Sequence, residues 1–112
     1  AERELAAFAQ QSLPRAARIL SENAYAHALL QPLGFDVVPI WSPEVAFAFD
    51  SSTPAREVRR KLGERGIRYV LFYPDRPNTR YCVRHPFYTS DLPDWRPIAR
   101  EPGVYVLLEM PE

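Results

Sequence analysis

Ser52-Thr53-Pro54-Ala55-Arg56-Glu57-Val58-Arg59-Arg60-Lys61-Leu62-Gly63-Glu64-Arg65-Gly66-Ile67-Arg68-Tyr69-Val70-Leu71-Phe72-Tyr73 carries a helix start, a helix, a stop and a buried strand in one short run. Thr53 is suited to cap a helix whose first residue is Pro54, where the missing N–H is no loss and the ring already holds a helical φ. Val58 and Leu62 fall on one helical face, Glu57 and Lys61 are spaced to pair on another, and Gly63 or Gly66 supplies the positive φ that ends the turn. The period then changes. The run from Ile67 to Tyr73, broken only by Arg68, is what a strand covered on both faces looks like. This is half of a βαβ unit, and such units need helices over a mostly parallel sheet.

The rest of the chain falls into the same alternation. Leu5, Phe8, Ala9 and Leu13 repeat at helical spacing until Pro14. Ala16 to Leu20 reads as a first strand, and Ser21 as the cap of a helix through Tyr25, Ala28, Leu29 and Leu30 that stops at Gly34. Asp36 to Trp41 reads as a second strand, at a sheet edge or a bulge because Pro39 has no N–H to give. Ser42-Pro43-Glu44 looks like a helix start while Val45, Phe47 and Phe49 alternate like a strand; of the two readings the short helical turn is favoured. Pro74-Asp75-Arg76-Pro77 reads as a loop, and Asn78 as the cap of a short helix through Tyr81, Cys82 and His85, with Phe87 and Tyr88 returning to the core. Trp95 to Arg100 and Val104 to Met110, joined at Glu101-Pro102-Gly103, form a closing hairpin. The expected fold is therefore α/β, three-layer, with a mostly parallel sheet flanked by helices and a C-terminal antiparallel hairpin.

The 112 residues predict one domain spanning 1–112, large enough to hold a core without metal or disulfide. Basic and acidic residues balance at 14 each, which argues against an electrostatic footprint for nucleic acid or an anionic membrane, and no nucleic-acid partner is expected. The single cysteine excludes an internal disulfide. No stretch reaches the roughly 20 apolar residues that a bilayer-spanning helix needs, so a soluble, monomeric chain is expected. An amphipathic segment already under way at Ala1, with the only methionine at Met110, is what a fragment of a longer protein would show.

Three phrases stand in a telling order: residues 13–21 (Leu-Pro-Arg-Ala-Ala-Arg-Ile-Leu-Ser), residues 62–71 (Leu-Gly-Glu-Arg-Gly-Ile-Arg-Tyr-Val-Leu), and Trp95-Arg96-Pro97-Ile98-Ala99-Arg100 with Val104-Tyr105-Val106. Over nearly the whole chain this resembles the C-terminal domain of polytopic membrane proteins similar to C-superfamily glycosyltransferases, which use lipid-linked sugars. The resemblance implies a membrane-associated parent, an extracytoplasmic accessory domain, and a partner in the transmembrane part of the same parent chain. In that superfamily the catalytic acid and the lipid-phosphate donor site belong to the membrane part, so the resemblance carries no catalytic residue onto this sequence. The helix from Glu2 to Leu13 would be where the chain leaves the membrane.

The residues themselves offer little chemistry. Gly34, Gly63, Gly66 and Gly103 never approach a phosphate-cradling pattern, so no nucleotide cofactor is expected. Cys82 and His85, with His27, make too few ligands for zinc, and no metal is expected. Cys82 beside His85 reads as a small buried thiol next to an exposed imidazole rather than as a nucleophile and base. A doubly wound sheet binds ligands beyond the carboxyl ends of its strands, which selects Ser21, Glu22, Asn23, Asp75 and Arg76 as the candidate ligand-binding residues. Their alternative reading is helix capping and an ordinary polar loop. Trp41, Phe47, Phe49, Phe72, Tyr73, Phe87, Tyr88 and Trp95 are read as core, with any exposed member marking contact with the rest of the parent. Two functions follow: a non-catalytic accessory domain of a membrane glycosyltransferase-like protein, or a free-standing small-molecule-binding or enzymatic α/β domain using the Ser21 and Asp75 loops.

Overall fold

The computed structural model describes residues 2–21, 24–50, 52–72, 87, 91–102 and 104–111. Its elements run α1 (Glu2–Ser12), β1 (Arg18–Ser21), α2 (Ala24–Leu30), a 3-10 turn (Gln31–Leu33), β2 (Asp36–Pro39), a 3-10 segment (Pro43–Phe49), α3 (Ala55–Glu64), β3 (Ile67–Phe72), a 3-10 turn (Leu92–Asp94), β4 (Arg96–Glu101) and β5 (Tyr105–Glu109). The strands form one sheet in the order β2-β1-β3-β5-β4. β1 pairs in parallel with both β2 and β3, through Ile19↔Val37 and Ile19↔Tyr69. The other two joints are antiparallel, through Leu71↔Leu107 and Arg100↔Val106. The α/β class and the closing antiparallel hairpin are as expected, while the expected mostly parallel sheet is corrected to a mixed one. The terminal hairpin extends the sheet along the edge of β3, so half of the joints are antiparallel.

Successive residues of a strand point to opposite faces, and both faces of the central strands are covered. Ile19, Val37, Tyr69 and Leu71 pack with Leu5, Ala9, Ala26 and Leu30 of α1 and α2. Leu20, Val38 and Val70 pack on the other face with Val45, Ala48, Val58 and Leu62, and with Phe87, Leu92 and Trp95. This double cover is why β3 reads as an apolar run, and its one interruption, Arg68, is exposed. Pro39 does sit on an edge strand. Residues 43–49 are helical, as favoured, with a non-helical kink at Val45 and the Ser42 hydroxyl accepting from the Glu44 N–H.

Three local expectations change. Pro54, not Thr53, is the N-cap of α3, because its φ of −60° is joined to an extended ψ of 148°. Glu57 pairs with Arg60, which also reaches Glu64, while Lys61 lies 5.5 Å over the Phe47 ring. Ser21 ends β1 and α2 opens at Ala24, so Ser21 belongs to the strand rather than to the helix start. Gly66, at φ +72°, is the glycine that turns the chain from α3 into β3. The short helix expected near Cys82 and the return of Tyr88 lie outside the described residues; Phe87 is fully buried, as expected.

The molecule has two ends. At one lie the carboxyl ends of β1, β2 and β3. Val106 pairs with Phe72, the last residue of β3, which puts neighbouring Tyr105 at this end as well. Burial, with the Glu4 and Glu101 carboxylates nearby, pushes the Tyr105 phenol above its ordinary range. α1 packs along the sheet and its last turn leads through residues 13–17 into the first residue of β1, so its own start lies toward the same end. At the other end lie Arg18, Asp36 and Ile67, the first residues of the three parallel strands.

Candidate functional site

Of the five residues that the sequence selects, the structure describes Ser21; Glu22, Asn23, Asp75 and Arg76 lie outside the described residues. Ser21 is buried at the carboxyl end of the central parallel strand, opposite Pro39 on one side and Leu71 on the other. Its carbonyl accepts the Ile40 N–H at 3.0 Å, carrying the ladder one residue past β2. Strand order reverses here, since the chain leaves β1 toward β2 and then returns across to β3 on β1's other side. That is the place where a sheet of this kind receives a ligand.

Trp41, placed by the sequence among core aromatics, is 63% exposed, whereas Trp95 is 2% exposed. The reason is local. The Ser42 N–H closes a turn on the Pro39 carbonyl at 3.0 Å, and the Val45 N–H follows onto the Ser42 carbonyl. With Ile40 packed against the core, the turn leaves Trp41 at its outer corner, held by a hydrogen-bonded backbone. The prolines at 39 and 43 were the available signal for such a display.

The opposite end is the most strongly connected polar part of the described structure. Arg18 donates from Nε to Asp36 at 2.8 Å, from Nη1 and Nη2 to the two Glu44 oxygens at 2.7 Å, and from Nη1 to the Arg65 carbonyl at 2.8 Å. One guanidinium thereby ties β1 and β2 to the 3-10 segment and to the end of α3. The fork geometry fits the Glu44 carboxylate with two parallel bonds. Arg65 lies 4.7 Å over the Phe47 ring, fixing the same 3-10 segment from its other end. This is a clamp and not a catalytic arrangement, since each charge is committed to holding two elements together.

The Arg18 guanidinium holds the Glu44 carboxyl below its ordinary value of 4.5. A depressed folded-state value means that the pair stabilises fully above the ordinary value and fades as pH falls through the depressed one. Glu44→Gln should therefore cost about 0.5–1 kcal/mol near neutral pH, the range for a partly solvated pair. That cost should shrink as pH falls from neutral into acid through the depressed Glu44 value. Denaturant unfolding of both forms at neutral and at acid pH checks it, and an undiminished cost in acid would contradict the pairing.

Two open depressions accompany these features: one of about 600 Å³ bordered by Pro54, Arg56, Glu57, Arg59 and Arg60, and one of about 520 Å³ at Gln10, Leu13, Arg15, Ala16, Leu33, Gly34 and Phe35. Neither adjoins Ser21. Among the described residues no group of three or more His, Cys, Asp and Glu side chains is placed to hold a metal ion. Among them, too, no helix is long and apolar enough to cross a membrane.

No family model matches this chain, and no curated protein matches it in sequence. Solved structures do. The C-terminal globular domain of oligosaccharyltransferase from Archaeoglobus fulgidus superposes with a TM-score of 0.64, over 97% of this chain and 96% of that one, at 14% identity. The likeness is one of fold, and it runs nearly end to end.

Proposed function

We propose that this chain is a non-catalytic accessory domain, 1–112, of a membrane glycosyltransferase-like protein, folded outside the cytoplasm and working against the transmembrane part of its own parent. The observation that carries this reading is the extent of the fold likeness: nearly all of this chain corresponds to nearly all of a C-terminal globular domain of an oligosaccharyltransferase. The resemblance of residues 13–21, 62–71 and 95–106 to the C-superfamily pattern points the same way from the sequence. A fold alone does not fix a function, so the reading is tested directly. The gene upstream of Ala1 should encode several hydrophobic spans, each of roughly 20 residues. A complete reading frame without any span would overturn the proposal.

The purified chain should neither hydrolyse nor transfer sugar from a lipid-phosphate donor, because such chemistry needs a positioned acid and base as well as a donor site. Assay against a lipid-phosphate sugar, with product detected by mass, checks this. Robust turnover that is lost in Cys82→Ser or His85→Ala would replace the accessory role with the enzymatic one.

A further inference from the structure

We propose that the depression between the last turn of α1 and the 3-10 turn after α2 binds the free carboxyl end of a polypeptide whose last residue is apolar. It opens at the amino ends of β1 and β2, the far end of the sheet from Ser21. Two pieces of chain border its volume of about 520 Å³. In one, the Leu13 N–H donates to the Ala9 carbonyl at 3.0 Å and the Ala17 N–H to the Pro14 carbonyl at 3.2 Å. In the other, the Gly34 N–H donates to the Gln31 carbonyl at 3.0 Å, and the Gln31 side-chain oxygen accepts the Val37 N–H at 3.1 Å. The Asp36 N–H joins the two by donating to the Ala17 carbonyl at 3.0 Å. Both walls are thus set before anything binds, and little ordering is lost on contact.

The recess is apolar inside and hungry for an anion at its rim. Phe35 is buried, Leu13 is half-buried and Leu33 is 37% exposed. A Cβ added at Gly34, whose φ is +97°, would meet nothing within 4 Å, so the space over it is open. Apolar side chains displayed around a recess gain by being covered. Arg15 is the one charged side chain among the described residues of the border; it is exposed, and no carboxylate or carbonyl of the chain holds it. Asp36, next after Phe35, is already bonded to Arg18 at 2.8 Å. The Gln10 amide is uncommitted as well, and within the turn the Arg15 and Ala16 N–H groups have no backbone acceptor among the described residues. Ala16 holds a left-handed φ of 57°, and successive N–H groups in such a turn form a concavity for an anion.

The pairing of rim and recess selects the occupant. A carboxyl-terminal residue carries its carboxylate and its side chain on one Cα, so a single residue can meet Arg15 and fill the apolar space beside it. An internal acidic residue in an extended chain has its apolar neighbour on the opposite side. A free small carboxylate would satisfy the rim alone, whereas sites for small molecules cover most of the ligand and this one is open on one side. An open side is what lets a chain lead away. Capture of a terminal carboxylate by backbone N–H groups is a recurring mode of peptide recognition, and a guanidinium strengthens it.

The test titrates the isotope-labelled chain with acetyl-Gly-Ser-Gly-Leu ending in a free carboxylate and follows the backbone amide shifts by NMR. Saturable shifts should concentrate at residues 10–16 and 31–36. Amidating the end of the peptide, or Arg15→Gln in the chain, should weaken binding about tenfold or more, the loss expected for one charge-assisted hydrogen bond. Leu33→Glu, which sets a like charge beside the recess, should weaken it at least as much. Absence of saturable shifts at these residues, equal binding of the amidated peptide, or binding that survives Arg15→Gln would each overturn the proposal. Two further probes bear on the occupant. Isocaproate, the same anion and side chain without the peptide, binding as tightly would make the recess a small-molecule site, and acetyl-Gly-Glu-Leu-Gly-amide binding as tightly would make it a site for internal acidic segments; either result overturns the chain-end reading. The accessory-domain reading is decided separately by the upstream gene, so the two can fail independently.

Discussion

Replacing Trp95 by alanine should destabilise the chain by about 3–5 kcal/mol, the range for removing a large buried aromatic. Trp95 is 2% exposed and meets Phe87 edge to face, with ring centroids 5.6 Å apart and planes at 85°. Its indole N–H donates to Asp91 at 2.9 Å, and the same carboxylate receives Arg59 of α3 at 3.4 Å. Arg59 in turn reaches the Pro111 carbonyl at 3.3 Å, so one side chain links α3, the approach to β4 and the end of the chain. Loss of the ring would open a void and take the indole N–H from the Asp91 carboxylate, leaving it, among the described residues, the 3.4 Å contact with Arg59. Against a total stability of roughly 5–15 kcal/mol, that is enough to unfold a sizeable fraction of molecules. Trp95→Phe, which keeps most of the bulk and loses the N–H, should cost about 1.5–3 kcal/mol, the range for one hydrogen bond to a charged group. Equilibrium unfolding in denaturant measures both; equal losses would mean that the packing of the ring adds nothing beyond the Asp91 bond.

Leu62→Ala should cost about 3–4 kcal/mol and Val70→Ala about 2–3 kcal/mol, in proportion to the methyl and methylene groups removed. Leu62 is fully buried on α3 and Val70 is 2% exposed on β3, and both belong to the cluster that binds the helix to the sheet. Losses below about 0.5 kcal/mol in the same unfolding experiment would mean that this helix-to-sheet contact is not packed as described.

Much of the architecture was legible because the signals were local. Leu5 and Ala9 on one face of α1, the apolar run of β3, Gly66 as the turn between α3 and β3, and Pro39 at an edge each follow from the chemistry of a few neighbouring residues. Strand direction was not local. Nothing in Tyr105 to Glu109 says that this strand will pair with β3, and that one choice turns a mostly parallel sheet into a mixed one. The helix cap failed for a similar reason. Proline fixes φ but leaves ψ open, so Pro54 satisfies either the cap or the first helical position until its surroundings choose. Glu57 had two cations within reach, at 60 and 61. Arg60 lies between Glu57 and Glu64, whereas Phe47, remote in sequence, draws Lys61 away. For the site, sequence reasoning placed Ser21 at the carboxyl end of the first strand, where it lies, and also read it as a helix cap, which the start of α2 at Ala24 does not bear out. It also counted Trp41 among core rings, because aromatic content alone does not distinguish a packed ring from a displayed one.

The prolines at the two margins of the sheet bear on solubility. β2 carries Pro39, and β4 carries Pro97 at a register shift, between the exposed Arg96 and Arg100. A foreign strand seeking to add to either margin meets a missing donor, and at β4 a kinked ladder and like charges as well, all of which disfavour edge-to-edge aggregation. Strand addition between copies is thereby disfavoured on both sides, so isolated copies of the chain should stay dispersed instead of seeding fibres.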